Sequence, residues 1–259
     1  MQYWESGREK NIEFKSRTDL VTEADKKAEQ LIISTLSASF PTWSFLCEET
    51  GISGDASESE YRWIVDPLDG TTSFAHGHPF FSVSIALEKK GEVVLGVVYG
   101  VVMDEMFVAV RGAGATRNGK PLRVSSTDKL IEALVSTGFP TARATMTSRL
   151  DTNMAYFEAV LLAARACRRN GSAALDLCYV AAGRQDLYWE QGLKAWDVAA
   201  GGLMVAEAGG VFSDMQGRPL SYAEATSEQD TFNVLGCNGP LQKSVLDTFA
   251  SVREAEEKK

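Results

Sequence analysis

The chain has 259 residues, 44% hydrophobic and 24% charged, which are ordinary proportions for a globular protein with room for one large or two modest domains. With 26 Lys and Arg against 35 Asp and Glu, the net charge of −9 excludes a general basic footprint for nucleic acid and leaves only a local patch open. Any anionic substrate must meet positive charge from elsewhere, and metal ions are one source.

No run approaches the eighteen apolar residues of a membrane span, and the N-terminal stretch MQYWESGREKNIEFKS lacks the apolar core of a signal peptide. Cys47, Cys167, Cys178 and Cys237 lie far apart and read as buried thiols of a reducing compartment rather than a zinc site or disulfide frame. The expected location is the cytoplasm, with no membrane and no nucleic-acid partner.

In chain order, Thr22 opens a helix with Asp25 as the acid of a capping box. Ala24, Ala28, Leu31, Ile32, Thr35 and Leu36 follow at helical spacing until Phe40-Pro41. A strand from Trp43 to Cys47 runs into Glu48-Glu49, and the polar stretch from Gly51 to Glu60 reads as a loop. The strand Tyr61 to Asp66 leads into Pro67-Leu68-Asp69-Gly70-Thr71. Phe81 to Lys89 and Glu92 to Tyr99 face each other across Lys90-Gly91, and Glu105 to Val110 adds another strand. Asn118-Gly119 marks a tight turn before a strand from Leu122 to Val124.

From about Ile131 strands alternate with longer helices. The spacing predicts helices over Ser148 to Arg165, Ser172 to Ala182, Trp196 to Ala208 and Leu241 to Glu256. Between them lie strands Leu187 to Trp189, Val211 to Ser213 and Phe232 to Leu235. The layout is a single α/β unit over residues 1–259. An antiparallel-rich α+β half to about residue 130 packs on an α/β half from 131.

Acidic residues stand where strands end and helices begin: Glu48-Glu49, Asp66, Asp69, Asp197 and Asp25. Taken singly, Asp25, Asp197 and Glu49 belong to caps and turns. Asp66-Pro67-Leu68-Asp69-Gly70-Thr71 differs, because two carboxylates bracketing a proline-stiffened bend are poor packing material. Hard oxygen ligands suit Mg²⁺, and Gly70-Thr71-Thr72 offers backbone N–H groups at a helix start, a ready anion cradle. Metal ligands touching an anion cradle describe phosphoryl transfer.

The segment Trp63-Ile64-Val65-Asp66-Pro67-Leu68-Asp69-Gly70-Thr71-Thr72-Ser73-Phe74 resembles the first signature of the inositol monophosphatase family. Trp196-Asp197-Val198-Ala199-Ala200-Gly201-Gly202, continuing to Glu207-Ala208-Gly209-Gly210, resembles the second. Lys15-Ser16 with Asp19 to Asp25 is similar to the N-terminal motif, Glu48-Glu49 to the paired glutamates, and Arg168 to Leu177 to bacterial members.

The resemblance implies a layered αβαβα sandwich, a homodimer, and Mg²⁺-dependent, lithium-sensitive hydrolysis of small phosphorylated polyols with two to three ions per site. It places Glu48, Asp66 and the Leu68 carbonyl on the first metal and Asp66, Asp69 and Asp197 on the second, with Glu48 also serving a third, weaker ion. Thr71, bonded to Asp25, would orient the attacking water. Gly70, Thr71 and Thr72 would cradle phosphate. Asp69, Glu190 and the segment Gly171, Ser172, Ala173 and Ala174 would meet the departing alcohol. Within the superfamily the alternatives are fructose-1,6-bisphosphatase, histidinol-phosphate phosphatase and 3′-phosphoadenosine 5′-phosphate phosphatase. From another class comes a partner-binding regulatory protein on the same fold.

The chain departs from the pattern at Cys47, where many relatives carry Gly, at Ser73, where Asn is common, and in the short stretch before the first motif. Three other signals are set aside. GATRNGK (Gly114 to Lys120) continues into Pro121 and reads as a hairpin turn rather than a phosphate loop. His76 and His78 lie in a Gly/Pro loop without a third ligand. Asp66 and Asp69 are separated by two residues, not the single one of phosphatases that form an aspartyl-phosphate.

Overall fold

The computed structural model describes residues 12–14, 20–54, 59–139, 147–222, 225, 227 and 229–256. For residues 12–14, 20–21 and 147–152 it describes the backbone alone. Lys15, Ser16 and Asp19 of the N-terminal motif lie outside the described residues, as do 55–58 of the acidic stretch.

Strands β1 (Ile12–Phe14) and β2 (Leu20–Thr22) pair antiparallel and deliver the chain to α1 (Glu23–Ser39). As expected, Thr22 caps α1 in a capping box with Asp25, and Phe40 ends it. The large sheet follows: β3 (Ser44–Cys47), β4 (Gly51–Ser53), β5 (Tyr61–Asp69), β6 (Ser82–Lys89), β7 (Glu92–Gly100), β8 (Glu105–Val110), β9 (Gly114–Arg117) and β10 (Lys120–Pro121). A short helix, α2 (Thr71–His76), links β5 to β6. The strand order is β10-β9-β8-β7-β6-β5-β3-β4, antiparallel throughout except between β3 and β5.

The remainder builds a five-stranded sheet from β11 (Leu134–Thr137), β12 (Ala166–Arg168), β13 (Leu187–Leu193), β14 (Val211–Asp214) and β15 (Phe232–Cys237), in the order β12-β11-β13-β15-β14. Its helices are α3 (Thr147–Ala163), α4 (Ala173–Ala181), α5 (Ala195–Glu207) and α6 (Gln242–Glu256).

Period-two alternation sorts side chains into layers. Phe45, Cys47, Trp63 and Val65 meet Ile32, Ile33 and Leu36 of α1, whereas Leu46, Ile64, Ala86, Val98 and Phe107 face α4 and α5. In the small sheet Tyr188 and Val234 complete that middle layer, while Leu187, Trp189 and Leu235 pack on Tyr156, Val160, Val245 and Phe249 of α3 and α6. The order α1, large sheet, α4 and α5, small sheet, α3 and α6 is the expected αβαβα arrangement.

Several local expectations are corrected. Gly51–Ser53 is not loop but an edge strand, because a turn at Glu48–Thr50 folds it back to pair Phe45 with Ser53 and Cys47 with Gly51. Strand β5 continues past Asp66 to Asp69. Leu122 to Val124 forms no strand. After Leu122 N–H bonds the Ala115 carbonyl, the chain leaves the sheet and Val124 N–H donates to Ala208 beyond the end of α5. β1, β2, β11 and β12 were not anticipated, being three or four residues each. GATRNGK is the hairpin β9–β10, with Asn118 and Gly119 both at positive φ. Among the described residues no helix is long and apolar enough to cross a membrane.

Candidate active site

Parallel pairing of β3 and β5 places the ends of the two strands side by side. Cys47 pairs with Val65, and Glu48 N–H donates to the Val65 carbonyl at 3.1 Å, which sets Glu48 next to Asp66. Pro67 brings no N–H to the ladder. There the pairing with β6 slips by one residue: Asp66 stands opposite Ser84, and Asp69 opposite Ser82. In a regular strand residues three apart face opposite sides. The extra residue returns Asp69 to the face of Asp66. That is the inner face, where the Ser84 hydroxyl donates to the Trp196 carbonyl at 3.2 Å, at the start of α5.

Each carboxylate is held. Asp66 Oδ1 accepts Leu68 N–H at 2.9 Å. Asp69 reaches the N-terminus of α4: Oδ2 accepts from the Ser172 hydroxyl at 2.6 Å and from Ala174 N–H at 2.8 Å, and Oδ1 from Ala173 N–H at 3.3 Å. A negative charge there complements the helix dipole. Asp197 lies in the first turn of α5, and its Oδ2 accepts Lys194 N–H at 2.7 Å.

Beside them, Gly70 caps α2 in the left-handed region, φ +96. A Cβ there would stand 2.9 Å from the Gly171 carbonyl oxygen and 3.1 Å from that of Phe80, so the turn requires glycine. It leaves Thr71 Oγ1 3.1 Å from both Asp25 Oδ1 and the Leu68 carbonyl oxygen. Asp25 is fully buried, and its Oδ2 accepts the N–H and the hydroxyl of Thr22. Thr72 is exposed, so the first turn of α2, whose N–H groups have no partners within the helix, lies beside solvent.

Electrostatics mark the site. Burial pushes Asp66 well above the usual carboxylate range, and repulsion from Glu48, Asp69 and Asp197 adds to it. Burial raises Asp69 to about 6 against its bonds to Ser172, Ala174 and Ala173. Asp197 is raised by burial and then by Asp69, against the Lys194 N–H. Asp25 is raised by burial, opposed by Thr22 and Thr71.

The other half contributes Glu190 from β13. Burial raises it to about 7, against the bond from the Tyr188 hydroxyl at 2.5 Å to Oε2. A Cβ at Gly138 would fall 1.9 Å from Glu190 Oε2, so the absence of a side chain there makes room for the carboxylate. Gly138, Tyr188 and Glu29, whose Oε2 accepts Glu49 N–H at 2.9 Å, went unnoticed in the sequence. None sits in a motif, and only spatial neighbours reveal them.

The structure thus brings Glu48, Asp69 and Asp197 close enough to Asp66 to repel it, with Thr71 on Asp25 and with Ser172 and Ala173 on Asp69. The Gly171 carbonyl packs on Gly70, and Ser73 Oγ would lie 3.2 Å from a Cβ at Gly171. His76 and His78 are exposed, and Cys47 is buried toward α1, its thiol pushed up to about 12 by burial and by Glu29.

Among the described residues, no group of three or more His, Cys, Asp or Glu side chains is placed to hold a metal ion. The donor set still fits a hard divalent cation. It is all oxygen, and the influences raising Asp66 are burial and other carboxylates, a repulsion that a cation relieves.

The chain resembles known proteins over most of its length. The model of the inositol monophosphatase family matches residues 1–252. An inositol-1-monophosphatase of Mesorhizobium japonicum is 47% identical over 235 residues, 91% of this chain and 84% of that protein. The Nus factor SuhB of Pseudomonas aeruginosa is also 47% identical, over 208 residues, 80% of this chain and 76% of its own. The crystal structure of the suhB extragenic suppressor protein of Bartonella henselae superposes with a TM-score of 0.85 at 39% identity, covering 96% of this chain and 91% of that one.

Proposed function

The chain belongs to the inositol monophosphatase family, and on that premise we propose that it is a Mg²⁺-dependent phosphomonoesterase hydrolysing inositol monophosphate to inositol and phosphate. The observation that carries the reading is the gathering of Glu48, Asp69 and Asp197 around Asp66, with Leu68 donating its N–H to Asp66 and holding its carbonyl 3.1 Å from Thr71, which bonds Asp25. Glu48, Asp66, the Leu68 carbonyl, Asp69 and Asp197 would hold two to three ions. Such ions supply Lewis acidity toward water and positive charge toward the phosphate and the leaving oxygen.

The chain's own groups do the rest. Thr71 Oγ1, donating to Asp25 Oδ1, turns its lone pairs toward an attacking water, and buried Asp25 is placed to take up the proton that Thr71 passes on. The first-turn N–H groups of Gly70, Thr71 and Thr72 face the phosphate. Glu190, fixed by Tyr188 and Gly138, accepts hydroxyl hydrogens of the departing polyol. No protein nucleophile is required.

The test is phosphate release from inositol 1-phosphate, fructose 1,6-bisphosphate, histidinol phosphate and 3′-phosphoadenosine 5′-phosphate, with Mg²⁺ alone and with added Li⁺. Fast, lithium-sensitive release from the first supports the reading. Preference for another ester keeps the site chemistry and changes the alcohol. Relatives named as Nus factors support a second reading, a partner-binding role on the same surface framework. A complex that survives Asp66→Asn with Asp197→Asn would establish it. A homodimer is the assembly we propose, read out by light scattering.

A further inference from the structure

We propose that Asp176 is a positioning residue, tethering through Asn170 the loop that sets Asp69 and the Gly70–Thr71 turn; the inference rests on the phosphatase reading of the site. Helix α4 is apolar apart from Asp176 and the Tyr179 hydroxyl. Its neighbours Ala173, Ala174, Leu175, Leu177, Cys178, Val180 and Ala181 are all buried, and Asp176 itself is only 2% exposed. A carboxylate in such a helix contributes less to packing than an apolar side chain of its volume would, and unpaired it is costly. Folding alone does not account for it.

Its partners do. Asp176 Oδ1 accepts Asn170 Nδ2 at 2.6 Å and Gln185 Nε2 at 3.2 Å, and Gln185 Oε1 accepts the Ser136 hydroxyl. Ser136 lies on β11 and Gln185 just before β13, so the far end of this chain of bonds is built into the small sheet. The near end is the loop. Asn170 precedes Gly171, at φ +97, whose carbonyl packs against Gly70, and then Ser172, whose hydroxyl donates to Asp69 at 2.6 Å. One loop therefore touches two parts of the large-sheet site, and the Asn170 amide ties it back to Asp176. Without that tie the loop's remaining hold on the site includes Asp69 itself, one of the groups it must orient. Ser172, one bond removed from Asp69, is the kind of partner that typically governs metal affinity by about 10–100-fold, and the Asn170–Asp176 bond acts through it.

The experiment titrates the full-length protein with Mn²⁺, reading free ion by electron paramagnetic resonance, and records kcat and KM beside it. The variants are Asp176→Ala, Asp176→Asn, Asn170→Ala and the double Asp176→Ala/Asn170→Ala. The expected result is Mn²⁺ binding weakened about tenfold by either alanine, and no further by the double variant, because both cut one tether. Asp176→Asn keeps an Oδ1 acceptor for both amides and should bind as the unmodified chain does. Unchanged Mn²⁺ binding in Asp176→Ala and Asn170→Ala overturns the proposal, as does additivity, or an Asp176→Asn as weak as Asp176→Ala. Asn170 is only half-buried, so its variant carries the test if Asp176→Ala does not fold. An unmodified chain that takes up no Mn²⁺ defeats the phosphatase reading and this inference with it, whereas normal uptake with unmoved variants defeats the tether alone.

Discussion

Asp66 and Asp69, three residues apart on one strand, share a face because the ladder to β6 slips by one residue between Ser84 and Ser82. A regular strand would send one of the two toward α1 and leave the other alone among the inner-face groups. The bulge is thus what turns a sequence motif into a pair of neighbouring carboxylates.

Asp66 feels the other three carboxylates directly, so its loss should be the most damaging. Asp66→Asn is expected to lower kcat by at least ~10³, since removal of a single key electrostatic group already costs ~10²–10³. Circular dichroism should show the fold intact. Near-normal turnover in the folded variant would falsify the assigned role.

The Thr71 hydroxyl, with one hydrogen to give, donates to Asp25 and stands 3.1 Å from the Leu68 carbonyl oxygen. Thr71→Ala should cost about 10²–10³ in kcat, in the range of lost proton-transfer assistance. Its urea midpoint should barely move. The reverse order, stability lost and rate kept, removes Thr71 from the proposed reaction.

Mutual repulsion among buried carboxylates means that a bound cation stabilises the folded chain. Mg²⁺ at 100 times its dissociation constant should add about 2.7 kcal/mol by mass action. Chelator should abolish phosphate release and lower Tm, and Asp197→Asn should shrink the Mg²⁺-dependent rise. A Tm indifferent to Mg²⁺ argues against the ligand set.

Gly138 leaves room for Glu190. Gly138→Ala should displace that carboxylate and raise KM for the phosphate ester about tenfold, ~1.4 kcal/mol. Inhibition by inorganic phosphate, which carries no alcohol for Glu190 to meet, should be unaffected. Equal loss of both would place the effect in the phosphate cradle instead.

Away from the site, burial pushes Glu105 up, but hydrogen bonds and charge from Arg184, with Arg117, outweigh it and hold the carboxyl below its ordinary value of 4.5. A depressed folded-state pKa adds stability that is present above the unfolded value and lost as pH falls through the folded one. Glu105→Gln should therefore be less stable than the unmodified chain at pH 7, by on the order of 1 kcal/mol because Arg184 is partly solvated. The gap should narrow as pH falls below the ordinary value of 4.5 and close once the folded-state carboxyl is protonated. Urea denaturation at pH 7 and in acid measures it.

The legible parts of this chain were local. Thr22 and Asp25 announce a capping box within four residues, Asn118-Gly119 a hairpin, and Asp66 to Thr72 a bend that packing does not favour; each depends on backbone chemistry among near neighbours. The elements missed were short. β4, β11 and β12 owe their existence to the strands beside them, and nothing within three or four residues distinguishes them from loop.

What the sequence determined by itself was the set of chemical groups, the caps and the alternation that assigns Trp63 and Val65 to one face and Ile64 to the other. Tertiary structure alone decided the rest. It set Glu48 beside Asp66 by parallel pairing, closed Asp69 onto Ala173 and Ala174 from a hundred residues away, and laid Gly138 against Glu190. Such contacts are absent from the sequence because hydrogen bonds and close approach depend on distance in space, and two sheets sharing one helical layer bring together residues that the chain keeps far apart.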